Sequence, residues 1–346
     1  MFDAWQSASM IYPLVTGFQW GSLDFQWYIE SGQSQPDPAK TPTGYHDVNR
    51  FITLPPHNGT GFISIPEYTK AYLTGSGMKR ETPLEVAEKI IRNADQALQW
   101  ADEQNVEMNQ ELRITIDDIK TIAWLGKYYA HKIRGAAYLS LFRESFKKEW
   151  YKKVIEELNC SAGYWRHYAA CGLANYYNPL WTNRVGNVNW RENFHWALYD
   201  ITANGGQINL PSMQPTPGGT ILEAENAEYK VSGLKSDVAG FTGKGYLETS
   251  VGDAKHQVRW TFNVPETGSY ILEFRYTLKR EQVFPSPVEI NGTKTNQIEF
   301  WNTGNAGTWV WERITVNFEK GKNTIGISPE GFVLLDHLNI VKINKD

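Results

Sequence analysis

The spacing of apolar residues changes twice along this chain. From residue 1 to about 80, Trp, Tyr, Pro and Gly interrupt every regular period, and Ser31 to Pro42 and Leu54 to Gly61 hold neither a helical nor a strand repeat. Long loops folded over a partner surface are expected there. From about residue 82 the spacing becomes helical. Thr82-Pro83-Leu84-Glu85 forms a capping box with proline at the first helical position. Behind it Ala87, Ile90, Ile91, Ala94, Ala97 and Leu98 recur at helical intervals, which predicts a helix to about Glu103. Ile119, Ile122, Ala123, Gly126, Ala130, Ile133, Ala137 and Leu141 predict a second helix from near Ile116 to about Glu144. A third is expected from Lys148 through Leu158 and on to Tyr177, with a break at Gly163, and a shorter one from Trp190 to Ile201. Together these make a helical bundle.

Residues 205–219 carry Gly205-Gly206, Pro211, Pro215, Pro217 and Gly218-Gly219, the composition of a linker. Beyond it the period switches to two. Val258 to Val264, Tyr270 to Tyr276, Val288 to Ile290, Trp311 to Phe318 and Asn323 to Ile327 alternate apolar and polar residues, separated by turns such as Pro265-Glu266-Thr267-Gly268 and Asn291-Gly292. Short strands at this density predict a β-sandwich. The expected fold class is therefore multidomain α + β. An aromatic-rich helical bundle domain over 1–204 and a linker over 205–219 lead into a C-terminal β-sandwich of jelly-roll type over 220–346.

Composition narrows the function. The 346 residues carry a formal net charge of -4, so no basic field attracts nucleic acid or anionic lipid. Lys147, Lys148, Lys152 and Lys153 alternate with Glu149, Glu156 and Glu157 as a solvated helix face does. No apolar run approaches the roughly 20 residues of a membrane span. Aromatic residues make up 14%, with 14 Trp and 18 Tyr, and rings with polar edges suit the apolar faces of sugars. The two cysteines, Cys160 and Cys171, would lie about 16 Å apart along one helix and would not bridge. The chain opens with Met1, Phe2, Asp3, Ala4 and Trp5, without the pattern of a secretory signal, and reads as a piece of a longer protein.

Three acids stand out in the β region. Glu223 and Glu225, two apart on an expected strand, would place both carboxylates on one face, and Asp336 on the last strand could complete an oxygen set for a hard cation. Three solvated acids are the alternative. A hydrolytic carboxylate pair is disfavoured, since adjacent groups on one strand face leave no cleft between them. In the N-terminal region, His46 and Asp47 with Asn49, Arg50 and His57 form a polar cluster in an aromatic setting, as do Asp24 and Glu30. His131, His167 and His195 fall in helical stretches and read as core or surface residues. No metalloprotease, nucleotide-loop or nucleophile-elbow motif occurs.

In order along the chain stand Ile221-Leu-Glu-Ala-Glu-Asn-Ala227, Gly240-Phe-Thr-Gly-Lys-Gly-Tyr246, Val264 to Tyr270 with Gly268, Phe274-Arg275-Tyr276, Val288-Glu-Ile-Asn-Gly292, Trp309-Val-Trp311, Gly321 with Asn323, and Leu335-Asp336-His337-Leu338. This series resembles the carbohydrate-binding modules of families 6 and 35. The resemblance implies a structural Ca²⁺ at the sandwich edge held by Glu223, Glu225 and Asp336. It also implies a sugar clamped at the loop end by a Tyr and a Trp, for which Tyr276 or Tyr246 and Trp309 are candidates. Trp301 could supply a different platform, while Trp311 and Tyr270 read as core. The Asn expected two positions before the final Asp is Leu334 here, so the chain departs from the family pattern by lacking that polar contact to the sugar.

The aromatic opening and helices more distantly resemble the region after the catalytic barrel in α-glucuronidase-like glycoside hydrolases. The residues carrying this are Gln19-Trp-Gly-Ser-Leu-Asp-Phe-Gln-Trp-Tyr28, Gly44-Tyr-His-Asp-Val-Asn49 and Trp190-Arg-Glu-Asn-Phe-His195. No strand-helix alternation of a barrel appears in this chain. The expected function is binding of a polysaccharide or oligosaccharide, as an ancillary part of a secreted, periplasmic or surface-bound glycoside hydrolase whose catalytic barrel lies elsewhere. The alternatives are a complete glycoside hydrolase or polysaccharide lyase acting through His46 and Asp47, and a sandwich that serves only as a brace.

Overall fold

A computed structural model describes residues 2–19, 28–34, 44–103, 110–183, 185–211, 215–216, 218–230, 233–249, 258–278 and 283–343. The chain divides into two compact units, Met1–Ile208 and Asn209–Asp346.

The first unit is helical, with α1 Phe2–Ser9, α2 Ile11–Phe18, α3 Val48–Thr53, α4 Ile65–Thr74, α5 Pro83–Asp102, α6 Gln110–Ser145, α7 Lys148–Asn175 and α8 Trp190–Ala203. A small hairpin, β1 Leu180–Thr182 with β2 Gly186–Val188, interrupts the α7–α8 connection. The region expected to be loops holds four short helices, a correction with a local cause. Ser64-Ile-Pro-Glu67 is a capping box in which the Ser64 hydroxyl accepts from Glu67 N and the Glu67 carboxylate accepts from Ser64 N, the device that also starts α5 at Thr82 and Glu85. α7 runs unbroken through Gly163, and Cys160 and Cys171, both on it, are not joined in a disulfide. A Cβ at Gly135 would stand 3.0 Å from Leu158 Cδ2, so the missing side chain lets α6 and α7 approach closely.

Charge is buried at the centre of this unit. Lys132, fully buried, donates to the Tyr45 hydroxyl at 2.7 Å and the Tyr128 hydroxyl at 3.1 Å, and pairs with Asp200 Oδ2 at 2.8 Å. Asp200 Oδ1 accepts from Val48 N at 2.9 Å. Burial alone would lower the Lys132 pKa, but Asp200 and Tyr128 reverse the direction and hold it above the ordinary value. This network ties the start of α3 to α6 and α8.

The second unit is a two-sheet sandwich. Its strands are β3 Thr220–Glu223, β4 Glu228–Tyr229, β5 Gly233–Lys235, β6 Tyr246–Glu248, β7 Val258–Val264, β8 Gly268–Thr277, β9 Phe284–Ile290, β10 Thr293–Phe300, β11 Val310–Phe318, β12 Gly321–Ile327 and β13 Leu334–Lys342. One sheet has the order β10-β9-β12-β7-β4 and the other β11-β8-β13-β6-β5, with β3 added against β13. Among the described residues these strands pair antiparallel. Phe274, Val288, Ile325, Leu335 and Leu338 are among the fully buried residues of the shared core. In β10, Thr293-Lys-Thr-Asn-Gln297 offers no apolar alternation, and backbone pairing with β9 supplies what the side chains do not.

β8 buries both faces. Leu272, Phe274 and Tyr276 face the core, while the alternate residues Glu273, Arg275 and Thr277 are also buried or nearly so. Glu273 accepts from Thr216 N at 3.0 Å, from Asn339 Nδ2 at 2.7 Å, and from Thr216 Oγ1 and Arg313 Nε at 2.5 Å each. The segment expected to be a free linker is thus held on the sheet at Thr216. At its other end Asn159 Nδ2 donates to Gln207 O at 3.1 Å, and Gly206 lies against Ile155 and Ile201 of the helical unit.

Candidate functional site

Three carboxylates converge at the edge of the sandwich, by a local geometry different from the expected one. β3 ends at Glu223, and a 3₁₀ turn over Ala224–Asn226 follows, so Glu223 and Glu225 do not share a strand face. The turn instead carries Glu225 round beside Glu223, and both lie beneath Gly243. That glycine has a φ of +63°, and a Cβ on it would overlap Glu225 Oε1 and stand 3.1 Å from Glu223 Cδ. Its lack of a side chain makes the space for the two carboxylates.

Asp336 reaches the same place through a β-bulge. Pairing with β8 jumps from Leu335↔Tyr276 to His337↔Arg275, leaving Asp336 as the extra residue. The bulge places the Asp336 and His337 side chains together, with His337 Nδ1 at 3.0 Å from Asp336 Oδ2 and 2.8 Å from the Thr242 hydroxyl. Thr242 N donates to Asp336 Oδ1 at 2.9 Å. The Thr242 hydroxyl lies 2.7 Å from Glu223 Oε2 and 3.1 Å from Asp336 Oδ2, and its single proton serves one of them at a time. Among the described residues, ligating atoms of Glu223, Asp336 and His337 lie within 4.8 Å of one another.

The local charge is unbalanced. Against three carboxylates stands the guanidinium of Arg275, paired with Asp336 Oδ2. Burial pushes the Glu223 carboxyl above its ordinary pKa, and the neighbouring Asp336 and Glu225 add to the rise. Burial also pushes Asp336 upward, but hydrogen bonds from His337, Arg275 and Thr242 N outweigh it and hold that carboxyl low. Glu225 Oε1 accepts from Lys244 N at 2.6 Å, while its buried Oε2 has no hydrogen-bond partner among the described residues. An unpartnered buried carboxylate oxygen in an oxygen-rich, negative pocket suits a hard cation. Glu223 and Glu225 with Asp336 would hold it. Thr242, His337 and Arg275 escaped the sequence reading as site residues, and adjacency to Asp336 was the available signal for His337.

The four expected sugar-platform rings are placed otherwise. Tyr276, Tyr246, Trp301 and Trp309 are 0%, 1%, 1% and 4% exposed, so none presents an open face. The expectation is corrected by what packs on each. Tyr276 lies in the core with its hydroxyl donating to Trp301 O at 2.9 Å, and Trp301 packs inside beside it. Trp309 donates to Ala239 O at 2.9 Å and lies under Gly240. Tyr246 stands between Trp309 at 5.5 Å and Phe241 at 6.0 Å, and Phe241 is the ring of this series partly open to solvent. Trp311 and Tyr270 are core, as expected. Leu334 pairs with Glu248 and Thr277 at this end of the sandwich. The neighbouring segments 250–257 and 279–282 lie outside the described residues.

His46 and Asp47 have structural partners. Asp47 caps α3, its Oδ1 accepting from Arg50 N at 2.8 Å. His46 is buried between Ser34 and Gln19, whose Nε2 lies 3.4 Å from His46 Nδ1. Burial, with Arg50 and Lys132 nearby, holds the His46 pKa well below the ordinary value and the ring neutral. Asp24 and most of the aromatic stretch 19–28 lie outside the described residues. A cavity of about 590 Å³ lies along α5 and α6 between Glu88, Arg92 and Arg134, and neither His46 nor Asp47 lines it.

No protein-family model matches the chain. A cycloisomaltooligosaccharide glucanotransferase of Niallia circulans is 30% identical over 131 residues, which is 35% of this chain and 13% of that protein. An exo-beta-D-glucosaminidase of Amycolatopsis orientalis is 28% identical over 126 residues, 35% of this chain and 12% of the relative. The mannan endo-1,4-beta-mannosidase B of a Piromyces species is 34% identical over 116 residues, 33% and 20% of the two proteins. Among solved structures, a family 35 carbohydrate binding module from Clostridium thermocellum has 29% identity, covering 36% of this chain and 97% of its own at a TM-score of 0.33. The chain resembles modules of that family over about a third of its length. It spans only about an eighth of the first curated relatives. No helix among the described residues is long and apolar enough to cross a membrane.

Proposed function

We propose that the β unit is a non-covalent carbohydrate-binding module serving a glycoside hydrolase that acts on polysaccharide outside the cell, with its catalytic barrel beyond this chain. One observation carries the reading. Stretches of 131, 126 and 116 residues, about the length of the β unit, match proteins named for three different reactions on sugars. A part shared across different chemistries supplies what those chemistries have in common, which is a carbohydrate to hold. The helical unit's buried His46 and capping Asp47 offer no exposed acid–base pair for catalysis. At the loop end of the sandwich, Phe241 is the ring available to stack on a sugar, with buried Tyr246 and Trp309 supporting it from behind.

The same proposal includes Ca²⁺ at Glu223, Glu225 and Asp336, where it would neutralise the excess charge and fix the 3₁₀ turn against β13. Calcium calorimetry tests this part, and Glu225→Gln is expected to weaken binding strongly. A competing reading, the sandwich as a brace without sugar affinity, is favoured by the burial of all four platform candidates and by Leu334. Retardation of the full chain in polysaccharide-containing gels separates the two, since a brace migrates unchanged in every gel.

A further inference from the structure

We infer that Arg275 is a built-in competitor for the proposed cation site, holding Asp336 in the cation-free protein and passing the exchange to Trp309 when a divalent cation takes that carboxylate. The inference rests on the cation reading of Glu223, Glu225 and Asp336. Arg275 is 9% exposed and its guanidinium makes four kinds of contact. Nη1 donates to Asp336 Oδ2, Nη2 donates to Gly240 O at 3.0 Å, and the plane lies 5.3 Å from the Trp309 ring and 5.1 Å from the Trp311 ring.

These contacts close a circuit. Asp336 holds Thr242 through its backbone N, and Thr242 is two residues from Gly240, whose carbonyl holds Arg275, which returns to Asp336. Trp309 joins the circuit twice, through the guanidinium face and through its indole N–H on Ala239 O. Asp336 Oδ2, which also has His337 Nδ1 at 3.0 Å and the Thr242 hydroxyl at 3.1 Å, is the atom that Arg275 and a cation would both claim. A divalent cation at that oxygen would stand beside a guanidinium in a largely buried setting, and like charges so close repel strongly. The circuit therefore has two arrangements, Asp336 on Arg275 or Asp336 on the cation. In the second, Arg275 keeps the Gly240 carbonyl and the two indole faces as a neutral berth. Loop 239–242 and Trp309 shift with it, so cation and glycan affinities become linked and must influence each other reciprocally.

The test uses the full chain and Ca²⁺ as the probe, with calorimetry for affinity and tryptophan emission for Trp309. Wild type is expected to bind Ca²⁺ with an emission change that Trp309→Phe removes. Arg275→Met is expected to bind Ca²⁺ on the order of tenfold more tightly, since a competing unit charge is gone, and to melt far lower in EDTA than in Ca²⁺. A residue that merely supported the fold would shift affinity the other way. Arg275→Lys guards against misfolding of the first variant: it keeps the charge, so affinity should stay within about twofold of wild type, while the emission change shrinks because the planar fork is lost. Tighter binding by Arg275→Met supports the inference; if that variant does not fold, unchanged affinity with a diminished signal in Arg275→Lys supports it. Weaker or unchanged binding by folded Arg275→Met, while Glu225→Gln still weakens Ca²⁺ binding strongly, overturns the inference and leaves the cation site standing. Absence of Ca²⁺ binding by wild type overturns both.

Discussion

The two units each bury a cluster of charge, and the clusters are built to opposite standards. In the helical unit every atom of the Lys132–Asp200 pair has a designated partner: two phenol hydroxyls, a backbone N–H and each other. Among the described residues of the β unit, three carboxylates face one guanidinium, one threonine proton is contested, and Glu225 Oε2 has no partner. A closed network is a cross-link, and adding anything to it would break it. An open one has unbalanced charge and an unpartnered oxygen to offer something more. The buried group that looks most like catalytic machinery in the sequence, the His46 region, sits next to the closed network, while the acids at the sandwich edge form the open one.

The comparison can be broken from the helical side first, where the largest effect is expected. Asp200→Ala leaves Lys132 charged and buried, and should cost about 3–5 kcal/mol in denaturant unfolding followed by the helical signal. Replacing both partners with apolar residues, Lys132→Met with Asp200→Leu, should cost far less. Equal losses in the single and double variants would mean the pair is not a cross-link.

On the open side, Ca²⁺ at a hundredfold excess over its Kd should stabilise the β unit by about 2.7 kcal/mol. The pH dependence has a definite sign. Glu223 has a folded-state pKa raised above 4.5, so in EDTA its contribution falls as pH rises from 4.5 through the raised value. Ca²⁺ should remove that decline. Melting curves at several pH values, with and without the ion, read both effects; a decline that persists in saturating Ca²⁺ would separate Glu223 from the site.

Glu273 offers a closed comparison within the β unit itself. Burial raises its carboxyl, but Arg313, Thr216 and Asn339 outweigh that and hold its pKa below 4.5. Its stabilisation is therefore full above 4.5 and lost as pH falls through the lowered value. Glu273→Gln should cost about 1–3 kcal/mol at neutral pH, toward the low end because Arg313 is partly exposed, and flatten the acid limb of the stability curve. The smallest effect is expected at Phe241, where Ala should weaken glycan binding by about 1 kcal/mol without changing the melting temperature.

What the sequence made legible follows the same physics. Elements with local signals were readable: the capping box at Thr82, the apolar stripe of α6, and the turn residues between strands. β10 was not, because its identity lies in backbone pairing with β9 rather than in its own polar side chains. The alternation Leu272-Glu-Phe-Arg-Tyr-Thr277 was read correctly as a strand, yet alternation implies a wet polar face, and here Thr216, Asp336 and the 303–305 loop cover it. Glu223, Glu225 and Asp336 were named from sequence, but the 3₁₀ turn and the bulge that bring them together leave no mark in residue spacing. The platform rings were misjudged for a related reason: sequence shows which aromatic residues exist, whereas Gly240, Ala239 and Arg275 decide that Trp309 is covered.

The most direct test of the central claim is migration of the full chain through native gels containing plant, algal and host polysaccharides, with Ca²⁺ or EDTA, alongside an assay for released reducing or unsaturated sugar. Retardation by at least one polysaccharide, weaker in EDTA and without product, is the predicted result. Product release, or unchanged migration in every gel, would contradict it.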